Sequence, residues 1–225
     1  MVVDDSSPYY IYKDRREAGK LLAKRLRGYA KQGVVVLALP RGGVPVGREI
    51  AEALGAQLDL IIPGKIGAPG NPELAIGAVT EDGVPILNEE LIRLLHVSPE
   101  YIEGQIREAV AEVERRMKYY RGTRSLQAIE GKTAIVVDDG IATGFTMLAA
   151  LRAVRRGKPS RLILAVPVAP RDTLEKLKNE VDEAIVLQTP DPFYAVGQFY
   201  EDFSQIPDDE VRRLLHPIKG SQPVI

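Results

Sequence analysis

Three short, unbroken apolar runs constrain this chain more than anything else in it: Val34 to Leu39 (VVVLAL), Thr133 to Val137 (TAIVV) and Leu162 to Ala169 (LILAVPVA). Each reads as a strand, and Val34 to Leu39 is the continuous β-branched and aliphatic run expected of a strand buried on both faces. Between them lie stretches with helical spacing. That alternation predicts an α/β fold, an open and mostly parallel twisted sheet flanked by helices.

The helices announce their own ends. Asp14 and Glu17 form an N-cap pair ahead of Ala18, Leu21, Leu22, Leu26 and Tyr29, and Gly33 closes that helix. A short helix is expected over Val44 to Leu54 and a second strand over Leu58 to Ile62. Six of the ten residues from Pro63 to Pro72 are Gly or Pro, which predicts a loop rather than helix or strand. Two short strands are expected around a turn at Glu81, Asp82 and Gly83. Ser98 and Pro99 open a long helix, whose seam of Ile102, Ile106, Val110, Val113, Met117 and Tyr120 would serve an internal contact or a homodimer. A helix over Arg171 to Asn179, a strand over Ala184 to Leu187 and a short helix from Asp209 to Leu215 complete the reading. With no repeat, residues 1–225 are expected to form a single domain, with a flap and long helix over 63–125 and a C-terminal hood over 189–225.

Composition narrows the chemistry. Thirty Lys and Arg against 31 Asp and Glu leave a net charge of −1, which argues against a general nucleic-acid binder. There is no Cys and there are two His, at 96 and 216, so thiol catalysis and Cys/His zinc sites drop out. Both His stand near helix ends, where a cation is favourable, and neither is a candidate for catalysis. No 18-residue apolar run and no leader-like start are present, so no membrane association is expected and a cytoplasmic location is.

The chemically informative segment is AIVVDDGIATGFTM, Ala134 to Met147. A buried strand ends in Asp138 and Asp139, and a turn of Ala142, Thr143, Gly144, Phe145 and Thr146 then opens a helix. Ligands of open α/β sheets bind beyond the carboxyl ends of the strands. Unpaired amides at a helix start, with the Thr143 and Thr146 hydroxyls, make an anion cradle suited to a phosphate monoester. Two carboxylates would repel that anion, but they accept hydrogen bonds from vicinal hydroxyls. A ribose 5-phosphate satisfies both halves; the plainer alternative is that the acids solvate a strand end or cap the helix.

On this strand, acidic pair and Thr-Gly-x-Thr turn, the sequence resembles the type I phosphoribosyltransferases, nearest to a group of uncharacterised members that share PRGGVPVG, KIGAPGNPE and VDDGIATG. The resemblance implies that the 142–146 turn binds the 5-phosphate of 5-phosphoribosyl 1-pyrophosphate (PRPP). Asp138 and Asp139 would then meet the ribose hydroxyls. Phe145 departs from the family, which more often has Gly or Lys there. By the same resemblance Arg41, Gly42 and Gly43, just after the first strand, would bind pyrophosphate. Lys65 to Ala75 would be the mobile loop, with Lys65 on pyrophosphate and Glu73 as acid or base. In TPDPFYAVGQFYEDF, Thr189 to Phe203, Phe193 would stack on a base and Asp202 would reach Mg²⁺. The alternative for these aromatics is the packing of a small lobe.

The implied activity is Mg²⁺-dependent transfer of phosphoribosyl from PRPP to a small nitrogenous acceptor, a nucleobase by analogy, with release of pyrophosphate. Ala142 stands where 6-oxopurine enzymes carry an acid, and the strand 162–169 lacks their Lys, so the acceptor stays open. The rival is a non-catalytic PRPP or nucleotide sensor, for which Arg115, Arg116, Lys118, Arg121 and Arg124 would contact nucleic acid. Interleaved Glu112 and Glu114 favour an ordinary solvated helix face instead.

Overall fold

A computed structural model describes residues 9–30, 33–80, 83–122 and 128–215. Five strands form one parallel sheet: β1 (Val34–Ala38), β2 (Gln57–Leu60), β6 (Thr133–Val137), β7 (Arg161–Val168) and β8 (Glu183–Gln188), in the order β2-β1-β6-β7-β8. A separate antiparallel sheet joins β3 (Gly64–Ala68), β4 (Asn71–Val79) and β5 (Pro85–Leu87). The helices are α1 (Arg15–Arg25), α2 (Gly43–Leu54), α3 (Glu89–Leu94), α4 (Pro99–Arg121), α5 (Phe145–Arg156), α6 (Arg171–Lys178) and α7 (Asp208–Leu215). None of them is long and apolar enough to cross a membrane, among the described residues.

The apolar runs are continuous because they serve two cores, one on each face of the sheet. Val35, Leu37, Ala134, Val136, Leu162, Leu164 and Val166 pack on Met147, Leu151 and Val154 of α5 and on Leu174 and Leu177 of α6. The alternate residues Val34, Val36, Ile135, Val137, Ile163 and Ala165 pack on Leu22 and Leu26 of the first helical segment and on Ile50 and Leu54 of α2. Helix α1 starts as expected: Asp14 accepts the Glu17 N–H at 2.8 Å, and Glu17 reaches back to the Lys13 N–H at 2.7 Å.

The Gly/Pro-rich segment corrects the expectation of a loop. Residues 64–79 form a β-hairpin, turned by Pro69 and Gly70, whose φ of 72° suits glycine at the third position of a tight turn. Its other glycines permit contact rather than mobility. A Cβ on Gly64 would lie 2.9 Å from the Ala109 carbonyl of α4, and one on Gly77 would lie 2.6 Å from the Ile86 carbonyl. Composition could not distinguish glycine for flexibility from glycine for close approach. The turn residues Glu81 and Asp82 lie outside the described residues.

The seam of α4 is used within the chain. Ile102, Ile106 and Val110 pack on the hairpin core of Ile66, Ile76 and Val79, while Val113, Met117 and Tyr120 join Leu60, Ile62 and α7. The basic cluster is likewise engaged. Arg115 and Arg116 both donate to Glu112 at 2.7 Å, and Arg121 is buried with its Nε 2.9 Å from Asp59. Arg124 and His216 lie outside the described residues.

Candidate functional site

Strand order places the site. β1 has β2 on one side and β6 on the other, the point where connections leave an open sheet in opposite directions and a crevice opens at its C-terminal edge. Ala38 pairs with Val137, so β1 and β6 end at the same level, and the Leu39 N–H donates to the Val137 carbonyl at 2.9 Å. The loops that follow, 39–43 and 138–146, therefore begin side by side.

The contact between them is close enough to dictate glycine. A Cβ on Gly42 would fall 1.9 Å from Asp139 Oδ2, and one on Gly43 would fall 2.7 Å from the Val137 carbonyl. The Pro40–Arg41 peptide bond in this loop is cis. The Arg41 guanidinium is partly exposed, 3.8 Å from Asp208 on α7.

Asp138 and Asp139 have different surroundings. Asp138 is partly exposed and lines the cavity described below, with its Oδ1 accepting the Asp139 N–H at 2.8 Å. Asp139 is buried: Arg15 Nε donates to its Oδ2 at 2.7 Å, and the Tyr200 hydroxyl donates to its backbone carbonyl at 2.6 Å. Burial raises the Asp138 carboxyl well above the ordinary carboxylate range, and the Asp139 charge adds to that. Burial also raises Asp139, but Arg15 opposes the shift, so Asp139 is the first of the pair to ionise.

Beyond them, residues 142–146 form the turn that opens helix α5. The first amide to close helix α5 is that of Leu148, onto Gly144 at 2.8 Å, so the N–H groups of Phe145, Thr146 and Met147 precede the helical bonding. Gly144 takes a φ of 84°, and a Cβ there would meet Thr173 Cγ2 at 2.7 Å. Thr173 Oγ1 donates to the Ala142 carbonyl at 2.9 Å, bracing the turn from α6. Ala142 and Thr143 are exposed, while Phe145 and Thr146 are half-buried.

A cavity of about 500 Å³ brings several of these residues together. Leu39 and Pro40 line it from the β1 loop, Asp138 and Thr146 from the β6 loop and α5, and Pro63, Gly64 and Lys65 from the start of the hairpin. Its remaining wall is a stripe of α4 that includes Gln105, Glu108, Glu112 and Arg116. Glu112 is held down to about 2 by hydrogen bonds from Arg115 and then Arg116. Glu73 lies on β4, and its side chain lies outside the described structure.

Of the other candidates, Arg41, Gly42, Gly43, Asp139 and residues 142–145 belong to the loops beside that cavity without lining it, and Phe193 and Asp202 belong to the tail. Phe193 is half-buried against Phe199, with ring centroids 5.3 Å apart. Asp202 is exposed and accepts the Ser204 N–H at 2.9 Å, and hydrogen bonds from the Ser204 backbone and then its side chain lower its carboxyl pKa. Neither lines the cavity. The aromatic stretch packs with the N-terminal segment: Tyr12 bridges to Tyr200, and Tyr12, Phe199 and Tyr200 share one buried cluster.

Two groups of residues escaped the sequence reading. The α4 stripe was legible only as a seam, because nothing local says that the polar residues beside it face a cavity. Arg15 did leave a signal: it is the first residue of α1, the end where the helix dipole disfavours a cation. A local rule broken at a helix start points to a charge partner elsewhere in the fold.

Among the described residues, no three His, Cys, Asp or Glu side chains converge on a metal-sized site.

A sequence model of the phosphoribosyl transferase domain matches residues 11–204. A curated protein of Mycobacterium tuberculosis (strain H37Rv), provisionally named phosphoribosyl transferase Rv0571c, is 43% identical over 201 residues, which is 89% of this chain and 45% of that protein. The chain thus spans less than half the length of that relative. The crystal structure of TT1426 from Thermus thermophilus superposes with a TM-score of 0.77 at 41% identity, covering 91% of this chain and 97% of that one. AQ2163 from Aquifex aeolicus, at 12% identity and a TM-score of 0.50 over 90% of this chain and 85% of its own, shares the fold alone.

Proposed function

The chain belongs to the phosphoribosyl transferase family, and from that premise we propose that it transfers the phosphoribosyl group of PRPP to a nitrogen nucleophile. The observation that carries this reading is the cavity at the β1/β6 crevice, whose walls include Lys65, Asp138 and Thr146. A cation, a sugar-binding acid and a phosphate turn are the three things PRPP requires.

In this reading the 142–146 turn holds the 5-phosphate through the Phe145, Thr146 and Met147 amides and the threonine hydroxyls. Asp138 accepts the ribose hydroxyls from the cavity side, whereas Asp139, expected to share them, is held by Arg15 against Gly42. Arg41, Gly42 and Gly43 hold the diphosphate with Lys65, and Arg41 exchanges its long contact with Asp208 for the anion. The nitrogen lone pair attacks C1, the bond from C1 to diphosphate oxygen breaks, and the diphosphate leaves with the electron pair. The proton lost by the nucleophile passes to a base, the role proposed for Glu73. Mg²⁺ would supply charge neutralisation of the leaving group, with Asp202 as the carboxylate proposed to hold it. Phe193 is the proposed stacking surface for a planar acceptor. The rate gain comes from positioning and charge stabilisation rather than from a covalent intermediate.

Titration calorimetry with Mg-PRPP tests the reading. The wild type is expected to bind, and Asp138→Asn to bind at least tenfold more weakly, while both unfold cooperatively. Equal affinity in the two proteins would remove Asp138 from the sugar site. Pyrophosphate release across a panel of purines, pyrimidines and pyridine carboxylates then separates an enzyme from a sensor.

A further inference from the structure

Arg15 has a more specific part than a surface cation. It is only 8% exposed, and its guanidinium is engaged on three sides. Nε donates to Asp139 Oδ2 at 2.7 Å, Nη1 donates to the Ser204 carbonyl at 2.8 Å, and its flat face lies 3.9 Å from the centre of the Phe203 ring. The same carboxylate oxygen lies against Gly42, where even a methyl group would find Asp139 Oδ2 at 1.9 Å. Tyr200, from the same tail as Ser204, holds the Asp139 backbone carbonyl. One guanidinium therefore links four pieces of chain: the start of α1, the β6 loop, the β1 loop and the tail at 200–204.

We propose that Arg15 is a positioning residue for the sugar-diphosphate site: by clamping Asp139 against Gly42 it fixes the 40–43 loop relative to Asp138, and it couples both to the order of the 200–204 tail. The division of labour follows. Asp138 is the acid that touches substrate, and Asp139 is the strut that Arg15 holds. This inference rests on the function proposed above, because the site it positions is the PRPP site.

The physical argument is one of satisfaction. A buried carboxylate cannot stand alone, and the same holds for a buried guanidinium. A planar fork with its donors in fixed directions meets an acid and a carbonyl at once, whereas an ammonium is a point charge. Its place at the first position of α1 costs a little against the helix dipole, so the arrangement persists because the partners outweigh that cost.

The test compares Arg15→Met, Arg15→Lys and the double variant Arg15→Met/Asp139→Asn in the full chain. Mg-PRPP affinity is read by calorimetry, and amide protection of 140–146 and 200–204 by hydrogen exchange. Arg15→Met is expected to weaken Mg-PRPP at least tenfold and to lower protection in both segments together. Lysine is expected to recover affinity only in part, because it supplies a charge to Asp139 but not the second donor to the Ser204 carbonyl, so protection of 200–204 stays low. In the double variant the loss should not exceed that of Arg15→Met alone, because residues acting as one unit are non-additive. Should Arg15→Met fail to fold, the double variant, which leaves no unpaired buried charge, carries the same comparison against wild type. Wild-type affinity in a folded Met or double variant overturns the proposal, as does a loss in the double variant greater than that of Arg15→Met. If the wild type itself binds no Mg-PRPP, the proposed function fails, and Arg15 is then judged by exchange alone: protection lost in one segment without the other overturns the coupling.

Discussion

Asp138 and Asp139 show how far a single residue's surroundings can depart from those of its neighbour. Both are aspartates at the end of the same strand, yet one lines a cavity and the other is tied to Arg15 and Gly42. Burial, then the charge of Asp139, raises the Asp138 carboxyl, so the folded molecule holds that proton more tightly than the unfolded chain does. Stability from a raised carboxyl is fully present below the unfolded value of about 3.9 and is lost as pH rises through the folded one. Asn imitates the protonated acid. Asp138→Asn is therefore expected to gain stability relative to wild type as pH climbs from 4, levelling off above the folded value. Thermal midpoints of both proteins from pH 4 to 9 measure it, and a constant difference across that range would contradict the assignment.

At the scale of elements, α4 and the hairpin close the open side of the crevice and give it a polar wall. What fixes α4 at its C-terminal end is the buried Arg121, paired with Asp59 of β2 and donating also to the Leu60 carbonyl. Removing one partner of such a pair leaves an uncompensated charge, which costs about 3–5 kcal/mol. Arg121→Met is thus expected to lower unfolding stability by about that amount in urea, and Arg121→Met/Asp59→Asn to recover part of it. A loss below about 1 kcal/mol would show that α4 is held by its apolar seam alone. The hairpin was read as a loop because six Gly and Pro in ten residues suppress every local signal for a strand. Its pairing depends on Gly64 lying against Ala109, more than 40 residues away, a contact that no window of sequence contains.

For the molecule as a whole, net charge and pairing point the same way. Arg115, Arg116 and Arg121 of α4 are occupied by Glu112 and Asp59, and the chain carries a net charge of −1. Retention on immobilised duplex DNA at about 50 mM salt is expected to be negligible, because binding through phosphates needs several unpaired Lys or Arg to release counterions. Strong retention with a steep salt dependence would revive the sensor reading. Mg-PRPP, in contrast, should raise the thermal midpoint, since a ligand at a hundredfold excess over its Kd adds about 2.7 kcal/mol to the folded state.

The strands of the five-stranded sheet, their parallel arrangement and the turn that opens α5 were legible from the residues alone. Each depends on short-range properties: β-branched runs, caps, and a glycine just ahead of a helix whose first amides have no partner. Gly42 and Gly43 were legible as a turn, but the reason for them was not, because it is the Asp139 carboxylate and the Val137 carbonyl, about 100 positions away. The partner of Arg15, the cavity-facing stripe of α4 and the unequal fates of the two aspartates arise only when distant segments meet. Burial and charge pairing are properties of the space between segments, and the sequence of any one segment carries no record of what will come to lie against it.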